Sequence, residues 1–434
     1  MYSSNQALLA ASLQYVWHPC TQMKHHEQLP LIPIRSGQGA WLIDMDGQRY
    51  LNGISSWWVN LFGHANPRIG HAIKQQLDQL EHVMLAGFTH EPVVTLSERL
   101  SQMTGGVLGH AFYGSDGASC IEIALKMSFH AWRNQGHTNK REFVCLKNSY
   151  HGETLGALSV TDVALFREAY GPLLNQVHIV AGADSREADS VNQALQRMRV
   201  LFEARHQQIA ALIVEPLVQC AAGMVMSDPA YLKGLRDLCD RYQIHLIADE
   251  VAVGCGRTGT FFACEQAGIW PDLLCLSKGI SGGYLPLSLV LSRDSIYQSF
   301  YDDQLARGFL HSHSYTGNPL ACAAAVATLN IFTEDQVLLR NQGLAAQISQ
   351  QLHAVKAHPA VRDFRQQGMI WAFEVATDLP DFARQFFSAA LQHGLLLRPI
   401  GKTVYLMPPY ILNEAEVSHL TQVTLQTLNE VIKP

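Results

Sequence analysis

Two short apolar runs in the middle of the chain constrain its fold most strongly. The first, residues 244–248, ends in Asp249, and the second, residues 272–277, ends in Lys278. Nearly continuous apolar runs of this length are typical of strands that are buried on both faces of a parallel sheet. Parallel strands place their carboxyl ends along one edge of the sheet, so we expect Asp249 and Lys278 on neighbouring strands at the same edge.

The same pattern recurs along residues 68–332. Apolar runs at residues 142–147 and 209–214 each lead into a polar segment, and another run follows at residues 287–291. Segments with helical spacing, such as residues 231–242, separate these runs. The alternation predicts an α/β domain whose mostly parallel sheet is flanked by helices.

Residues 333–434 have a different pattern, which predicts a smaller α+β domain. Helical spacing covers residues 336–354 and 414–431. Three strands are predicted between these helices, at residues 368–375, 395–398 and 403–407. Upstream of the large domain, residues 40–51 have the pattern of a hairpin around an Asp-Gly turn. The chain contains no internal repeat.

Composition favours a globular protein that binds small molecules. Hydrophobic residues make up 48% of the chain and charged residues 16%, which is not the composition of a disordered protein. A net charge of −6 without a lysine or arginine cluster gives no reason to expect nucleic-acid binding. No apolar run has the length of a membrane span, and the first residues lack the pattern of a secretory signal. We therefore expect a cytoplasmic protein.

The cysteines and histidines predict neither disulfides nor a metal site. None of the nine cysteines forms a CxxC pair, so free thiols in a reducing compartment are expected. The 20 histidines group closely only at residues 25–26 and 311–313, without acidic residues or cysteines at ligand spacing.

Asp249 and Lys278 are the two groups that an enzyme with pyridoxal phosphate requires. The aldehyde of this cofactor needs an amine for a Schiff base, and its pyridine nitrogen needs a carboxylate that holds the proton. Three glycines follow Asp249, at residues 254, 256 and 259. The pair alone is weak evidence, because strands often end in an acidic residue and most lysines after a strand are solvated.

Other segments suit the remaining parts of such a cofactor. Residues 111–119 form a small-residue turn that leads into a helix, where free N–H groups and the helix dipole can bind phosphate, although any capped helix looks similar. Tyr150 and His151 follow a strand and precede a glycine, where they could cover a flat ring. Trp57 and Trp58 are adjacent, so they suit either a substrate-facing wall or a domain seam.

Together these segments resemble the class III, or ω-type, aminotransferases of fold type I, which use pyridoxal 5′-phosphate. The similarity covers nearly the whole chain. Five motifs carry it: WHP-x-T at 17–21, SSWW at 55–58, NSYHGET at 148–154, DEVAVGCGRTG at 249–259, and RP-x-GK with YLMPPY at 398–410. The resemblance implies a large cofactor-binding domain at residues 68–332 and a C-terminal small domain at 333–434. Residues 1–67 would contribute to the small domain and to a lid over the active site.

The resemblance implies roles for residues that match the motifs of the family. Lys278 would form the Schiff base and move the proton, Asp249 would hold the pyridine nitrogen, and Tyr150 would stack on the ring. The backbone amides of Gly117 and Ala118 would bind the phosphate. The family often has serine at the position of Ala118, so this chain would lose a hydroxyl contact there and keep the backbone contact.

Further positions match the subunit interface and the substrate site of the family. His313 and Ser314 match the loop through which the neighbouring subunit reaches the phosphate, which implies a homodimer with shared active sites. Arg398 is the expected clamp for a substrate carboxylate, because a guanidinium group binds carboxylates through two hydrogen bonds. The substrate-binding positions are matched by Cys20, Trp57, Trp58, Tyr150, Arg257, Lys278, Ser312, Arg398 and Tyr405.

The WHP, SSWW and LMPPY stretches are most similar to a branch of the family that acts in biotin biosynthesis. Its members convert 8-amino-7-oxononanoate into 7,8-diaminononanoate with S-adenosylmethionine as amino donor, and this is the implied activity. Cys20 stands where well-known members have a tyrosine that helps to recognise the substrates, and residues 281–286 and 311–318 resemble members that use lysine. Lysine as donor therefore stays open. The alternatives are another ω-aminotransferase for ornithine, 4-aminobutyrate or a diamine, a related aminomutase, and a non-catalytic binding protein with this fold.

Overall fold

The structure is a computed structural model that describes residues 2, 4–27, 29 and 31–432. The chain divides into two compact units. The larger unit comprises Arg68–Gln342 together with Arg365–Ile370. The smaller unit comprises the residues up to Pro67, Gly343–Phe364 and the residues from Trp371 onwards. The smaller unit is thus assembled from widely separated parts of the sequence.

A seven-stranded sheet forms the centre of the larger unit in the described chain. In spatial order its strands are His110–Gly114, Ser288–Ser292, Leu273–Leu276, His245–Asp249, Ile209–Val214, Glu142–Leu146 and His178–Val180. Six strands run in one direction, and Ser288–Ser292 is antiparallel to both of its neighbours. The predicted mostly parallel α/β sheet is confirmed. The strands at both edges, His110–Gly114 and His178–Val180, were not predicted.

Two separate cores explain why the central strands are apolar throughout. Along Ile209–Val214, Leu212 belongs to a core that includes residues of the helix Pro229–Tyr242. Its neighbour Ile213 belongs to a second core, which includes residues of the helix Gly117–Asn134. Successive side chains of a strand point to opposite faces, so a strand that is buried on both faces has no polar position.

Helices complete the larger unit. The longer ones are Pro67–Leu77, Glu91–Met103, Gly117–Asn134, Ser190–Arg205, Pro229–Tyr242, Pro319–Glu334 and Val337–Gln351, the last of which continues into the smaller unit. Shorter α-helices are Leu155–Ser159, Ala164–Arg167 and Asp294–Phe300, and single 3₁₀ turns are Glu168–Leu173, Ala263–Ala267, Lys278–Ser281 and Leu305–Arg307. A two-stranded ribbon pairs Val218–Gln219 with Val225–Met226. None of the helices in the described part of the chain has the length and apolarity that a bilayer crossing requires.

The smaller unit contains one whole sheet and most of a second, in which the strand Val361–Gln367 ends with residues that belong to the larger unit. The first orders Ile34–Gln38, Trp41–Asp44, Arg49–Asn52 and Leu395–Leu396, and the second orders Val361–Gln367, Ile370–Val375 and Thr403–Leu406. The predicted hairpin is present in the first sheet. The strand predicted at 395–398 ends at Leu396 and pairs in parallel with Leu51 and Asn52, so it joins the N-terminal hairpin and leaves Arg398 outside the strand. The helices are Asn5–Tyr15, Ser55–Trp58, His353–Lys356, Phe382–Gln392 and Glu414–Val431, and Met23–Glu27 is a 3₁₀ turn.

Lys140 joins three segments beside the central sheet. Its ammonium group donates to the carbonyl oxygens of His206, Ile209 and Gln243, at 2.8, 3.0 and 2.5 Å. Only 6% of the residue is exposed, and burial lowers the pKa of the amine to about 8. Removing this donor would leave three carbonyl groups without their partner.

We expect Lys140→Met to lower the free energy of unfolding by about 3 kcal/mol, since buried acceptors lose a charged donor while the aliphatic stem is kept. Urea unfolding monitored by circular dichroism measures this change. The control is Lys233→Met, at an exposed position of the helix Pro229–Tyr242, which is expected to change it by less than about 0.5 kcal/mol. Equal effects of the two substitutions would contradict the prediction.

Candidate active site

The carboxyl ends of two neighbouring strands bring Asp249 and Lys278 close together. The strands His245–Asp249 and Leu273–Leu276 run parallel, with Asp249 opposite Cys275, and Lys278 follows the second strand after one intervening residue. Asp249 is buried, and its charge acts on the ammonium group of Lys278. The two residues are therefore neighbours because their strands point the same way.

Lys278 has an unusual backbone and an unusual environment. Its φ of 46° lies in the left-handed region, which residues with a side chain rarely adopt. Burial lowers the pKa of its amine, while the negative charge of Asp249 acts in the opposite direction. A lowered pKa increases the fraction of neutral amine, and only the neutral amine is a nucleophile or a base.

The imidazole of His151 is hydrogen-bonded to the carboxylate of Asp249. Its Nδ1 lies 2.7 Å from Asp249 Oδ2, and a carboxylate can only accept, so Nδ1 carries the proton and donates. The other carboxylate oxygen, Oδ1, accepts from the backbone N–H of Val251 at 3.0 Å. The two contacts fix the orientation of the carboxylate.

Glu215 lies at the end of a third strand and connects two loops of the site. Its carboxylate accepts from the backbone N–H groups of Tyr150 and Cys220, at 3.0 and 3.2 Å. The ring of Tyr150 is positioned separately, because its hydroxyl donates to Glu153 at 2.8 Å. Burial raises the pKa of Glu215 to about 7, and the nearby charge of Asp249 acts in the same direction.

The raised pKa of Glu215 predicts a pH dependence of stability. Its ordinary value is 4.5, so between pH 4.5 and about 7 the folded state binds more protons than the unfolded state, and the free energy of unfolding falls as the pH rises. We expect Glu215→Gln to remove up to about 3 kcal/mol of this fall. Urea unfolding at a series of pH values between 5 and 8 measures it. Glu98→Gln, at an exposed position, is expected to leave the slope unchanged, and a similar slope in both variants would contradict the assignment.

The start of the helix Gly117–Asn134 has the features of an anion site. Asp116 caps the helix by accepting from the backbone N–H of Ser119 at 2.9 Å, and the first N–H groups of a helix have no partner within it. Ala118 lies against Gly152, where an added Cβ would be 2.6 Å from the Ala118 Cβ and where φ is +124°. A glycine is therefore required behind Tyr150, and it lets that loop approach the helix start.

Residues 311–318 of the same chain also reach this helix start. His313 Nε2 lies 2.5 Å from the hydroxyl of Ser115, and His311 Nδ1 lies 2.9 Å from the amine of Lys126. Ser312 and Ser314 are exposed. The imidazole of His313 thus lies beside the residues that precede this helix, whereas His311 contacts the helix at Lys126, nine residues after Gly117.

Arg257 lies in the glycine-rich loop after Asp249 and is 1% exposed. Its carbonyl accepts from the N–H of Met369 at 2.8 Å. Gly368 closes this contact, because an added Cβ would lie 2.3 Å from the backbone carbon of Thr258 and φ is +57°. The structure therefore places Arg257 as a buried side chain whose surroundings are tightly packed.

The SSWW motif of the smaller unit adopts a left-handed helical turn. Ser55, Ser56, Trp57 and Trp58 have φ values of 51°, 48°, 70° and 74°, although none of them is glycine. Each residue of this kind costs roughly 1–2 kcal/mol relative to a right-handed conformation. The unusual backbone sends the two rings to different environments: Trp58 is 5% exposed and Trp57 is 45% exposed.

The two tryptophans have different partners. Trp58 Nε1 donates to the hydroxyl of the buried Tyr405 at 3.2 Å. The guanidinium carbon of Arg398 lies 5.1 Å from the centre of the Trp57 ring, and one Nη2–H of Arg398 donates to the carbonyl of Cys20 at 3.3 Å. Arg398 is exposed and forms no ion pair with any carboxylate among the described residues. The thiol of Cys20 is exposed as well.

Among the site residues, Asp249 and Lys278 were identified most directly from the sequence, because each lies at the end of an apolar run. His151 and Glu215 were visible at strand ends too, but the hydrogen bonds that connect them to Asp249 and Tyr150 depend on the fold. Within the described residues, no cluster of histidine, cysteine and acidic side chains could hold a metal ion. The cysteines of the described chain are all free.

Comparisons with known proteins place the chain in a family. The profile described as aminotransferase class-III matches residues 22–428. A Helicobacter pylori protein named adenosylmethionine-8-amino-7-oxononanoate aminotransferase is 48% identical, with 98% of each chain covered. The solved structure of a Methanocaldococcus jannaschii protein of that name matches with a TM-score of 0.93, 33% identity, and coverage of 98% of this chain and 99% of that one.

A third match is an amine transaminase from an uncultivated Pseudomonas species, solved in a PLP-bound form. It is 30% identical, has a TM-score of 0.91, and is matched over 96% of this chain and 99% of that one. The profile and these matches extend over nearly the whole sequence, including both compact units. The chain belongs to the class-III aminotransferase family.

Proposed function

We propose that this protein transfers an amino group from S-adenosylmethionine to 8-amino-7-oxononanoate, forming 7,8-diaminononanoate for biotin biosynthesis. The observation that carries the proposal is the pair Asp249 and Lys278 at the ends of adjacent parallel strands, in a chain that is 48% identical to the Helicobacter pylori protein of the corresponding name. A desolvated amine beside an oriented carboxylate is the minimum that amino transfer requires of the protein.

The residues of the larger unit fit pyridoxal 5′-phosphate. Lys278 supplies the amine for its aldehyde, Asp249 the carboxylate for its ring nitrogen, and Tyr150 the aromatic face. The amides of Gly117 and Ala118 suit the phosphate, because they are the first N–H groups of an 18-residue helix and have no partner within it. When bound, this cofactor acts as an electron sink for the carbon that carries the amino group.

The protein's own part in the reaction is proton transfer and orientation. The lowered pKa of Lys278 suits an amine that would hold the cofactor through its aldehyde and that would serve as the acid and base for a proton on carbon. The hydrogen bond from His151 fixes the orientation of the Asp249 carboxylate. The two half-reactions, amine donation and amine acceptance, use the same groups in opposite order, which gives ping-pong kinetics.

Arg398 and Trp57 are the proposed contacts of the acceptor. Arg398 is exposed, is held by the carbonyl of Cys20 and the ring of Trp57, and has no carboxylate of the described chain bound to it. A guanidinium group fixed in this way suits the carboxylate of 8-amino-7-oxononanoate, and the tryptophan suits its aliphatic chain. Trp58 and Tyr405 are buried, so we propose that they support the surface formed by Trp57 and Arg398 by packing, and that the buried Arg257 supports the glycine-rich loop after Asp249 in the larger unit.

The donor is tested by the visible absorption of the purified protein with its cofactor. Addition of S-adenosylmethionine alone is expected to bleach the band, since the amino group then stays on the cofactor. If lysine alone bleaches the band, lysine is the amino donor, and the alternative with lysine replaces the proposal. If neither donor acts, the proposal fails, and ornithine, 4-aminobutyrate and diamines are tested next. Cys20 contacts Arg398 through its backbone carbonyl. Cysteine in place of the tyrosine of well-known members therefore leaves this hydrogen bond to Arg398 in place.

We further propose a cytoplasmic homodimer with shared active sites. The proposal is supported by Ser312, His313 and Ser314, which match the loop through which the neighbouring subunit reaches the phosphate in the family. Sedimentation equilibrium is expected to give twice the mass of 48.1 kDa. A monomer with full activity would exclude this arrangement.

A further inference from the structure

We infer that Asn52 is a positioning residue for the acceptor. Its side chain holds the left-handed turn Ser55–Trp58 in the conformation that presents the ring of Trp57 to Arg398. The inference rests on the proposed function, in which Trp57 and Arg398 bind the acceptor. The hydrogen bonds of Asn52 in the turn go to the backbone N–H and the hydroxyl of Ser56, so it acts on Trp57 through the preceding residue.

The turn needs outside support because its own sequence does not favour it. Four successive residues without glycine have positive φ, and serine and tryptophan prefer negative φ. Inside the turn, the backbone N–H of Trp58 donates to Ile54 at 2.9 Å, and that of Val59 donates to Ser55 at 3.0 Å. Isolated turns of this kind do not persist in proteins unless the surrounding structure fixes them.

Asn52 supplies the support at the residue that precedes Trp57. Its Oδ1 accepts from the backbone N–H of Ser56 at 2.8 Å, and its Nδ2 donates to the hydroxyl of Ser56 at 2.7 Å. Both bonds act on one residue, whose φ and ψ are 48° and 54°. They therefore close a ring between the end of the strand Arg49–Asn52 and the left-handed turn.

Asn52 is itself fixed, so it can serve as an anchor. It is fully buried, and its Nδ2 also lies 3.1 Å from Nε2 of His64. His64 in turn exchanges two backbone hydrogen bonds with Gly39, at 3.1 and 2.7 Å. Ser56 is thus connected, through the side chains of Asn52 and His64, to Gly39 between the first two strands of the N-terminal sheet.

The other anchors of the turn act at its ends. The hydroxyl of Ser55 donates to the carbonyl of Met407 at 2.8 Å, and Trp58 is bonded to Tyr405. Neither anchor acts on the peptide before Trp57, where a change in ψ of Ser56 would swing the half-exposed ring. Because the guanidinium group of Arg398 packs on that ring, a displaced Trp57 would also displace the carboxylate clamp.

Two substitutions of Asn52 separate its hydrogen bonds from its volume. Asn52→Leu keeps the approximate volume and removes every bond to Ser56 and His64. Asn52→Asp is the matched control, since a carboxylate can accept from the Ser56 N–H, from the Ser56 hydroxyl and from a protonated His64 Nε2. We expect Asn52→Leu to raise the KM for 8-amino-7-oxononanoate about tenfold with kcat changed less than about threefold, and Asn52→Asp to restore a KM within about threefold of the wild type.

A second measurement does not depend on activity. The seven tryptophans can be labelled with 5-fluorotryptophan, and the ¹⁹F resonance of Trp57 can be assigned from its absence in Trp57→Phe. In Asn52→Leu the Trp57 resonance is expected to shift or broaden, while that of Trp132 in the core of the larger unit is expected to stay unchanged. In Asn52→Asp the Trp57 resonance is expected to return to its wild-type position. If the protein does not use the proposed acceptor, the kinetics fail but this spectrum still decides the role of Asn52.

An unchanged KM together with an unchanged Trp57 resonance in folded Asn52→Leu would overturn the inference. If Asn52→Leu does not fold, Ser56→Ala provides the test, because it removes one of the two bonds at a partly exposed position. A smaller shift of the same resonance is then expected. No shift in Ser56→Ala would overturn the inference in that case.

Discussion

Lys278→Ala is expected to lower kcat for amino transfer by about 10⁴-fold or more, because one substitution removes both the nucleophile and the general base. Burial lowers the pKa of this amine. Two measurements check the result: steady-state rates, and borohydride reduction followed by mass spectrometry of the peptides. In the wild type, the reduced cofactor is expected on the peptide that contains Lys278.

Lys147→Ala is the matched control for this experiment. Lys147 also follows a strand of the central sheet directly, Glu142–Leu146, but its side chain is exposed. We expect its kcat to stay within about twofold of the wild type, as for most exposed positions away from the site. Attachment of the cofactor to a peptide without Lys278, or substantial activity in Lys278→Ala, would refute the assignment.

Asp249→Asn is expected to lower kcat by about 10²- to 10³-fold, the effect of removing one preorganised electrostatic contact from a buried site. The amide cannot hold a protonated ring nitrogen, and its neutral side chain also loses the ionic part of the bond from His151. Rates of the donor half-reaction, measured by stopped-flow absorption, report the change without interference from product release.

The control for Asp249 is the next carboxylate along the chain, Glu250→Gln. Glu250 is buried at the same strand end but accepts from the backbone N–H groups of Ala263 and Cys264, at 2.7 and 2.9 Å. Its loss is expected to lower stability and to leave kcat within about threefold. If Glu250→Gln slowed the half-reaction as much as Asp249→Asn, the carboxylate that serves the cofactor would have been misassigned.

The central sheet was predictable because its strands are buried on both faces. Runs such as residues 209–214 leave no polar position, and helices between them impose parallel pairing. The strand Val361–Gln367 was missed for the opposite reason, since its exposed positions carry charged and amide side chains and its pattern is not apolar. The pairing of Leu395–Leu396 with the N-terminal hairpin joins residues more than 340 positions apart, and no local pattern encodes such a contact.

Within the candidate site, the sequence predicted most directly those residues whose side chain itself performs the chemistry. Lysine and aspartate at strand ends stand out, whereas the role of Asn52 depends on a left-handed turn that Ser-Ser-Trp-Trp does not suggest. Sequence rules assign positive φ to glycine and asparagine, so this turn follows from tertiary contacts alone. The role of Glu215 also depends on the fold, which brings the backbone N–H groups of Tyr150 and Cys220 to its two carboxylate oxygens.

The discontinuous smaller unit sets an order of events during synthesis on the ribosome. Arg68–Gln342 is continuous and can complete most of its sheet while the chain is still growing, but the residues up to Pro67 must wait for Gly343–Phe364 and the residues after Trp371. At roughly 5–20 residues per second, the roughly 300 residues between Pro67 and Trp371 take about 15–60 s to emerge. Throughout that time Leu61 and Phe62, which are buried in the finished protein, have no completed core to enter. Newly made chains are therefore expected to depend on chaperones that shield this N-terminal segment until translation ends.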